Sequence, residues 1–288
     1  AILEEYNRTL PNVLLGGGRR DWDYREAVEK AIFAGYTSIR TSAQLESMDL
    51  ARLPRKLPTG PGLLGLFEGN LEPFEGGNTS WQFWCGDCLT LERDRRLHPD
   101  PTAQPDPRLP DMTAAALATL EGLKDGFFLL VENDTADNIG HYAGDAFAGS
   151  GPNDAELTAY MVEDLAAFDE AVGVVLDWVA ARGLDDTLVI VTGDKETGGF
   201  AFPDGAYTAG DVVPGTFPDA PYNTTTPVPV YALGPESARA LGARHLKDVY
   251  FAMQVGYTNF AGPLFPDDFF DRFIPPDRGG VTPAETTP

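Results

Sequence analysis

Hydrophobic positions along this chain recur with two periods, and the order in which those periods alternate is its first structural signal. Pro11-Asn12-Val13-Leu14-Leu15-Gly16-Gly17-Gly18 is an apolar run closed by glycines, the pattern of a short buried strand ending in a turn. Asp23 is placed to cap a helix running to about Ala34, with Gly35 at its stop. Tyr36 to Arg40 then reads as a strand, and Thr41 or Ser42 as the cap of a short helix carrying Leu45 and Met48. Leu63-Leu64-Gly65-Leu66-Phe67, entered through Pro61-Gly62, reads as another buried strand. Strands and helices alternating at this spacing predict an α/β fold, a mostly parallel sheet flanked by helices.

Residues 69–110 interrupt the rhythm with Trp81, Phe83, Trp84, a Cys pair and a series of prolines, and are expected as an insertion packed on the surface. Regularity returns at Asp111, which is placed to cap a helix to Leu123. Gly126-Phe127-Phe128-Leu129-Leu130-Val131-Glu132 predicts a central strand with an acid at its carboxyl end. A long helix follows from about Ala155 to Ala181, with Met161, Leu165, Phe168, Val172, Val175 and Val179 as its core-facing stripe. Gly183 stops it, and Thr187 to Thr192 predicts a second central strand ending at Gly193-Asp194. After a Pro/Gly/Asp-rich loop over 200–222, Val228-Pro229-Val230-Tyr231-Ala232 reads as a last strand, its proline suiting an edge. One domain over residues 1–274 and a mobile Pro/Gly/Thr tail over 275–288 are expected, with no internal repeat.

Charge narrows the function. The 288 residues carry 44 Asp+Glu against 21 Lys+Arg, a formal charge of -23. Proteins that neutralise nucleic-acid phosphates need a basic face, and anionic membrane surfaces attract basic segments, so both partners are excluded as the basis of binding. No apolar run approaches the ~20 residues of a membrane span. The start, Ala1-Ile2-Leu3-Glu4-Glu5, is acidic and amphipathic, unlike a signal or transit peptide and consistent with a processed chain. Cys85 and Cys88 are too few for a four-thiolate zinc site and suit a local disulfide. Four Asn-x-Ser/Thr sequons, at Asn7, Asn78, Asn133 and Asn223, exceed the roughly one expected by chance and point to a secreted glycoprotein.

Open α/β sheets place their sites at the carboxyl ends of strands. Two predicted strands end in acids here, Glu132 and Asp194, and Asp137 and His141 follow the first at i, i+4 spacing. On one helical turn that pair suits zinc or another borderline cation. A helix cap and a surface histidine are the alternatives that spacing leaves open.

The ordered set Val13-Leu14-Leu15-Gly16-Gly17-Gly18-Arg19, Gly35-Tyr36, Arg40-Thr41, Leu64-Gly65-Leu66-Phe67, Asp111-Met112-Thr113, Gly126 to Glu132, Asp137, His141, Phe168-Asp169-Glu170-Ala171-Val172 and Asp186 to Gly199 resembles the alkaline phosphatase family. The resemblance implies the family's fold and a phosphomonoesterase ancestry with two zinc ions, one magnesium ion and a serine nucleophile. Carried over by motif, Glu132 would bind magnesium, Asp137 and His141 the first zinc, and Asp194 the second. Two ligand positions are substituted: Lys195 stands where the family has a histidine after the aspartate, and Asn223 where it has the third first-zinc ligand. A charged lysine has three donors and no lone pair, so it cannot ligate zinc. The nucleophile motif and the N-terminal strands of the family have no counterpart here. The resemblance with these departures implies a chain that is catalytically inactive alone, with zinc and magnesium partial or lost and a structural, assembly or binding role outside the cell. The alternative is a metal-dependent phosphomonoesterase completed by a missing N-terminal portion or a partner chain. Either way another polypeptide is the expected partner, with a homo-oligomer as a further possibility.

Overall fold

The computed structural model of the chain describes residues 10–16, 24–67, 107–133, 135–142, 154–182, 186–201, 215–220 and 222–261. Asn7, Asn78, Cys85, Cys88, the proposed cap Asp23, the tail from 275 and most of the 69–110 insertion lie outside them. Two compact units are present, residues 1–183 with 191–229 and residues 184–190 with 230–288.

The first unit is organised by a three-stranded parallel sheet of order β1-β3-β2, built from β1 (Val13–Gly16), β2 (Thr37–Ile39) and β3 (Leu63–Leu66). Leu63 sits opposite both Val13 and Thr37, so β3 is the middle strand. Its continuous apolar sequence is what a strand covered on both faces requires. On one face Leu63 and Phe67 pack with Ile39, Met112, Ala115 and Ala171; on the other Leu64 packs with Val28, Tyr36 and Leu57. Helix α1 (Tyr24–Ala34) supplies Val28 to the second face. The first face is covered by α3 (Leu109–Leu120) and α5 (Asp154–Ala180). The short helix α2 (Ser42–Glu46) starts as expected: Thr41 Oγ1 accepts from the Gln44 N–H at 3.2 Å.

Several expectations are corrected. Helix α3 begins at Leu109, not after Asp111. Pro110 fits the first turn, where no N–H is needed, and Asp111 reaches back to accept from the Arg108 N–H at 3.2 Å. On α5, Leu165 faces outward and Asp164 is fully buried in its stead. The small residues Ala167 and Ala171 lie on the buried side, and such residues let a neighbouring helix approach closely. Residues 126–132 form no strand ladder among the described residues, although their side chains alternate in exposure as a strand's do. The last strand, β7 (Val230–Leu233), begins after Pro229 instead of spanning it, since proline has no N–H for a ladder.

The remaining elements of the first unit position the candidate site. Helix α4 (Thr135–Tyr142) lies against α5 through Ile139, which is fully buried with Met161 and Phe217. Strands β5 (Glu196–Thr197) and β6 (Asn223–Thr224) pair antiparallel, with Thr197 opposite Asn223. In the second unit, β7 leads into α6 (Ser237–Leu241) and α7 (Leu246–Ala261). Strand β4 (Val189–Thr192), which starts in that unit, pairs with β7. Among the described residues, no helix is long and apolar enough to cross a membrane.

Candidate functional site

Helix α4 is amphipathic over two turns. Ala136 and Ile139, three apart, face α5 and its neighbours, which leaves Asp137 and His141, four apart, on a different side. A glycine lets that side approach β5. Gly140 is buried, and a Cβ there would meet the Thr197 carbonyl at 2.5 Å. Gly198, directly after Thr197, has φ +85°, and a Cβ there would meet the Gly140 carbonyl at 2.8 Å. Two glycines therefore hold α4 and the end of β5 at backbone distance, where any side chain would push them apart.

The contact brings five side chains together. Lys195 Nζ donates to Asp137 Oδ1 at 2.6 Å, and the Thr197 hydroxyl lies 2.5 Å from the same oxygen. His141 Nε2 is 3.5 Å from Asp137 Oδ2. Thr197 Oγ1 is also 2.8 Å from the Asn223 side-chain amide. One hydroxyl carries one proton, and the charged carboxylate is the stronger acceptor for it. The Thr197 proton therefore goes to Asp137, and Asn223 Oδ1 stands 2.8 Å from the same hydroxyl as a second acceptor. Burial alone would push the Asp137 carboxyl up. Hydrogen bonds from Lys195 and Thr197, with the charges of Lys195 and His141, outweigh it and hold the group below its ordinary range.

The other expected ligands do not converge on this cluster. Asp194 is exposed, its carboxylate 3.8 Å from Lys195 Nζ at the rim. Glu132 is exposed and makes no ion pair or hydrogen bond to the cluster among the described residues. Asn133 donates to the Asp164 carbonyl at 3.1 Å, and its side-chain carbonyl oxygen is buried with no partner among the described residues. A glycan on Asn133 would have to disturb that seat, whereas Asn223 is exposed.

The donor set can be tested against a metal centre. Tetrahedral zinc with ligands at ~2.0–2.1 Å separates adjacent donors by roughly 3.3 Å, and the 3.5 Å between Asp137 Oδ2 and His141 Nε2 matches one such edge. The match ends there. The carboxylate's other oxygen is held by an ammonium, the position beyond it is an amide, and no group of three His, Cys, Asp or Glu gathers among the described residues. These residues do not fit a two-zinc centre.

The pairing of Lys195 with Asp137 was legible as a substituted motif, but Thr197 and Gly140 carried no assigned role. The Gly198-Gly199 pair after a two-residue strand was the available signal, since adjacent glycines mark close backbone approach.

The alkaline phosphatase family profile matches residues 5–240. The chain belongs to the alkaline phosphatase family. Among curated relatives, alkaline phosphatase H of Pseudomonas aeruginosa is 26% identical over 281 residues, covering 88% of this chain and 53% of that protein. The solved alkaline phosphatase of the Antarctic bacterium TAB5 superposes with a TM-score of 0.61 at 20% identity, covering 89% of this chain and 63% of that one. A mutant of the TAB5 enzyme, with magnesium bound in its M3 site, superposes at 0.60 with 21% identity over the same shares. The α/β alkaline-phosphatase fold is thereby established. The chain spans about half the length of its Pseudomonas relative.

Proposed function

We propose that this member of the alkaline phosphatase family has no phosphatase activity as the chain stands and serves a structural, assembly or binding role outside the cell. One observation carries the reading: the Lys195 ammonium sits 2.6 Å from Asp137, the carboxylate that the family motif assigns to zinc. A cation supplied by the chain neutralises the acid without offering a lone pair or a coordination position. Loss of metal or nucleophile removes the groups on which in-line phosphoryl transfer depends, at a penalty of orders of magnitude in rate. The excess of sequons supports the extracellular placement. The direct assay is hydrolysis of 4-nitrophenyl phosphate by the purified chain, with and without zinc and magnesium. The expected rate equals that of buffer; metal-dependent turnover abolished by Asp137→Ala would overturn the reading.

A second reading keeps catalysis, with zinc and magnesium held in a site completed by polypeptide beyond these residues. The 3.5 Å spacing of Asp137 and His141 favours it, as does the extra length of the relatives.

A further inference from the structure

Two of the four sequons have their asparagine among the described residues, Asn133 and Asn223. An N-glycan is carried on the side-chain nitrogen, so the way that atom faces separates the two. Asn133 is turned inward at both arms of its amide: Nδ2 donates to the Asp164 carbonyl at 3.1 Å, and Oδ1 is buried. Asn223 is turned the other way. Its Oδ1 lies 2.8 Å from the Thr197 hydroxyl, the residue is exposed, and among the described residues its Nδ2 has no acceptor. The amide is planar, so an oxygen seated inward leaves the nitrogen on the outer arm. Thr225, the hydroxyl residue of this sequon, is exposed as well, whereas Thr224 between them donates to Glu196.

We propose that Asn223 carries an N-linked glycan, and that this glycan covers the open side of the cluster formed by Lys195, Asp137 and Thr197. The inference rests on the extracellular placement proposed above and gives it one position in the chain. Transfer forms a bond between Nδ2 and C1 of the first sugar. The bond from C1 to the diphosphate oxygen of a lipid-linked oligosaccharide breaks, the lipid diphosphate leaves with the electron pair, and Nδ2 gives up one proton. The amide oxygen is untouched by that step, so its seat beside Thr197 survives. Position then decides what the sugar does. Asn223 stands opposite Thr197 in the β5–β6 pair, and Thr197 shares the Asp137 oxygen with Lys195, so the first sugar is rooted beside the ion pair. Lys195 and Asp137 each keep 33% of their side-chain surface open, and a bulky, hydrated glycan at that root lies over it. A carboxylate that already holds the chain's own cation is then also screened from the medium.

The test starts from the protein purified from its natural source. Release of N-glycans by peptide-N-glycosidase in heavy-oxygen water marks each asparagine that carried one, and peptide mass spectrometry reads the marks. The mark is expected at Asn223 and not at Asn133. An unmarked Asn223, or a mark at Asn133 in its place, would overturn the proposal. Variants of the full 288-residue chain, secreted from a eukaryotic host, test the covering. Thr225→Ala should lose the Asn223 glycan and Thr225→Ser should keep it, while both leave Asn223 itself beside Thr197. Acylation of Lys195 by acetic anhydride, followed by peptide mapping, should run about threefold faster in Thr225→Ala than in the glycosylated chain. Equal rates would show that the glycan leaves the cluster open and would overturn its covering role. An unmarked Asn223 leaves the phosphatase assay unaffected, and turnover in that assay leaves the glycan standing, so the two claims fail separately.

Discussion

Lys195 Nζ and Asp137 Oδ1 meet at 2.6 Å from positions 58 residues apart, tying the segment before β5 to the first turn of α4. Both side chains are about two-thirds covered, which places the pair between a screened surface bridge and a desolvated one. Lys195→Met, Asp137→Asn and the double variant therefore form an informative cycle in urea. Each single change should destabilise, and the coupling should be about 1 kcal/mol, discounted for the remaining exposure. Coupling indistinguishable from zero would mean that the contact carries no energy.

Gly140→Ala tests the close approach of α4 to β5. In an open helix, Ala is better than Gly by ~1 kcal/mol. Here the added methyl meets the Thr197 carbonyl, so the sign should reverse, with a loss of about 1–3 kcal/mol. The Thr197 and Asp137 signals should shift in NMR spectra of the same variant. A stabilised variant would contradict the contact.

Tyr36 makes stability depend on alkaline pH. Its hydroxyl donates to the Pro11 carbonyl, and burial pushes the phenol from 10.0 to about 12. Between those values the unfolded chain releases a proton that the folded chain keeps. Stability is therefore full below pH 10 and falls as the pH rises toward 12. Urea midpoints measured across that range should drop more steeply for the native chain than for Tyr36→Phe. Parallel profiles would place the phenol in water.

Leu63→Ala and Phe33→Ser contrast the core with the surface. Leu63 is fully buried in the middle strand, and its truncation should destabilise by about 2–5 kcal/mol. Phe33 is 95% exposed despite its apolar side chain, and its change should stay within about 0.5 kcal/mol. Comparable losses would show that something covers Phe33.

Much of the fold was legible because local chemistry and tertiary context agree. Leu63 to Phe67 reads as a two-sided buried strand and is one, and Thr41 caps the helix that its position suggests. Legibility fails where partners decide. Phe127 to Glu132 has a strand's composition and alternation, but a ladder needs a neighbour that local sequence does not specify. On α5, apolar periodicity selects Leu165, while the observed packing turns Asp164 inward. Within the candidate site, motif comparison located Asp137, His141, Lys195 and Asn223. The junction through Thr197 depends on a cross-strand pair and a glycine contact, neither visible until α4 and β5 are placed in space.

The central claim is that a lysine has taken over the charge role of a metal at Asp137. Metal content of the purified native chain, measured by plasma mass spectrometry after equilibration with zinc and removal of free ion, tests it most directly. The expected result is well under one zinc per chain, unchanged in Asp137→Asn. One or two tightly held zinc ions per chain, lost on substitution of Asp137 or His141, would contradict it.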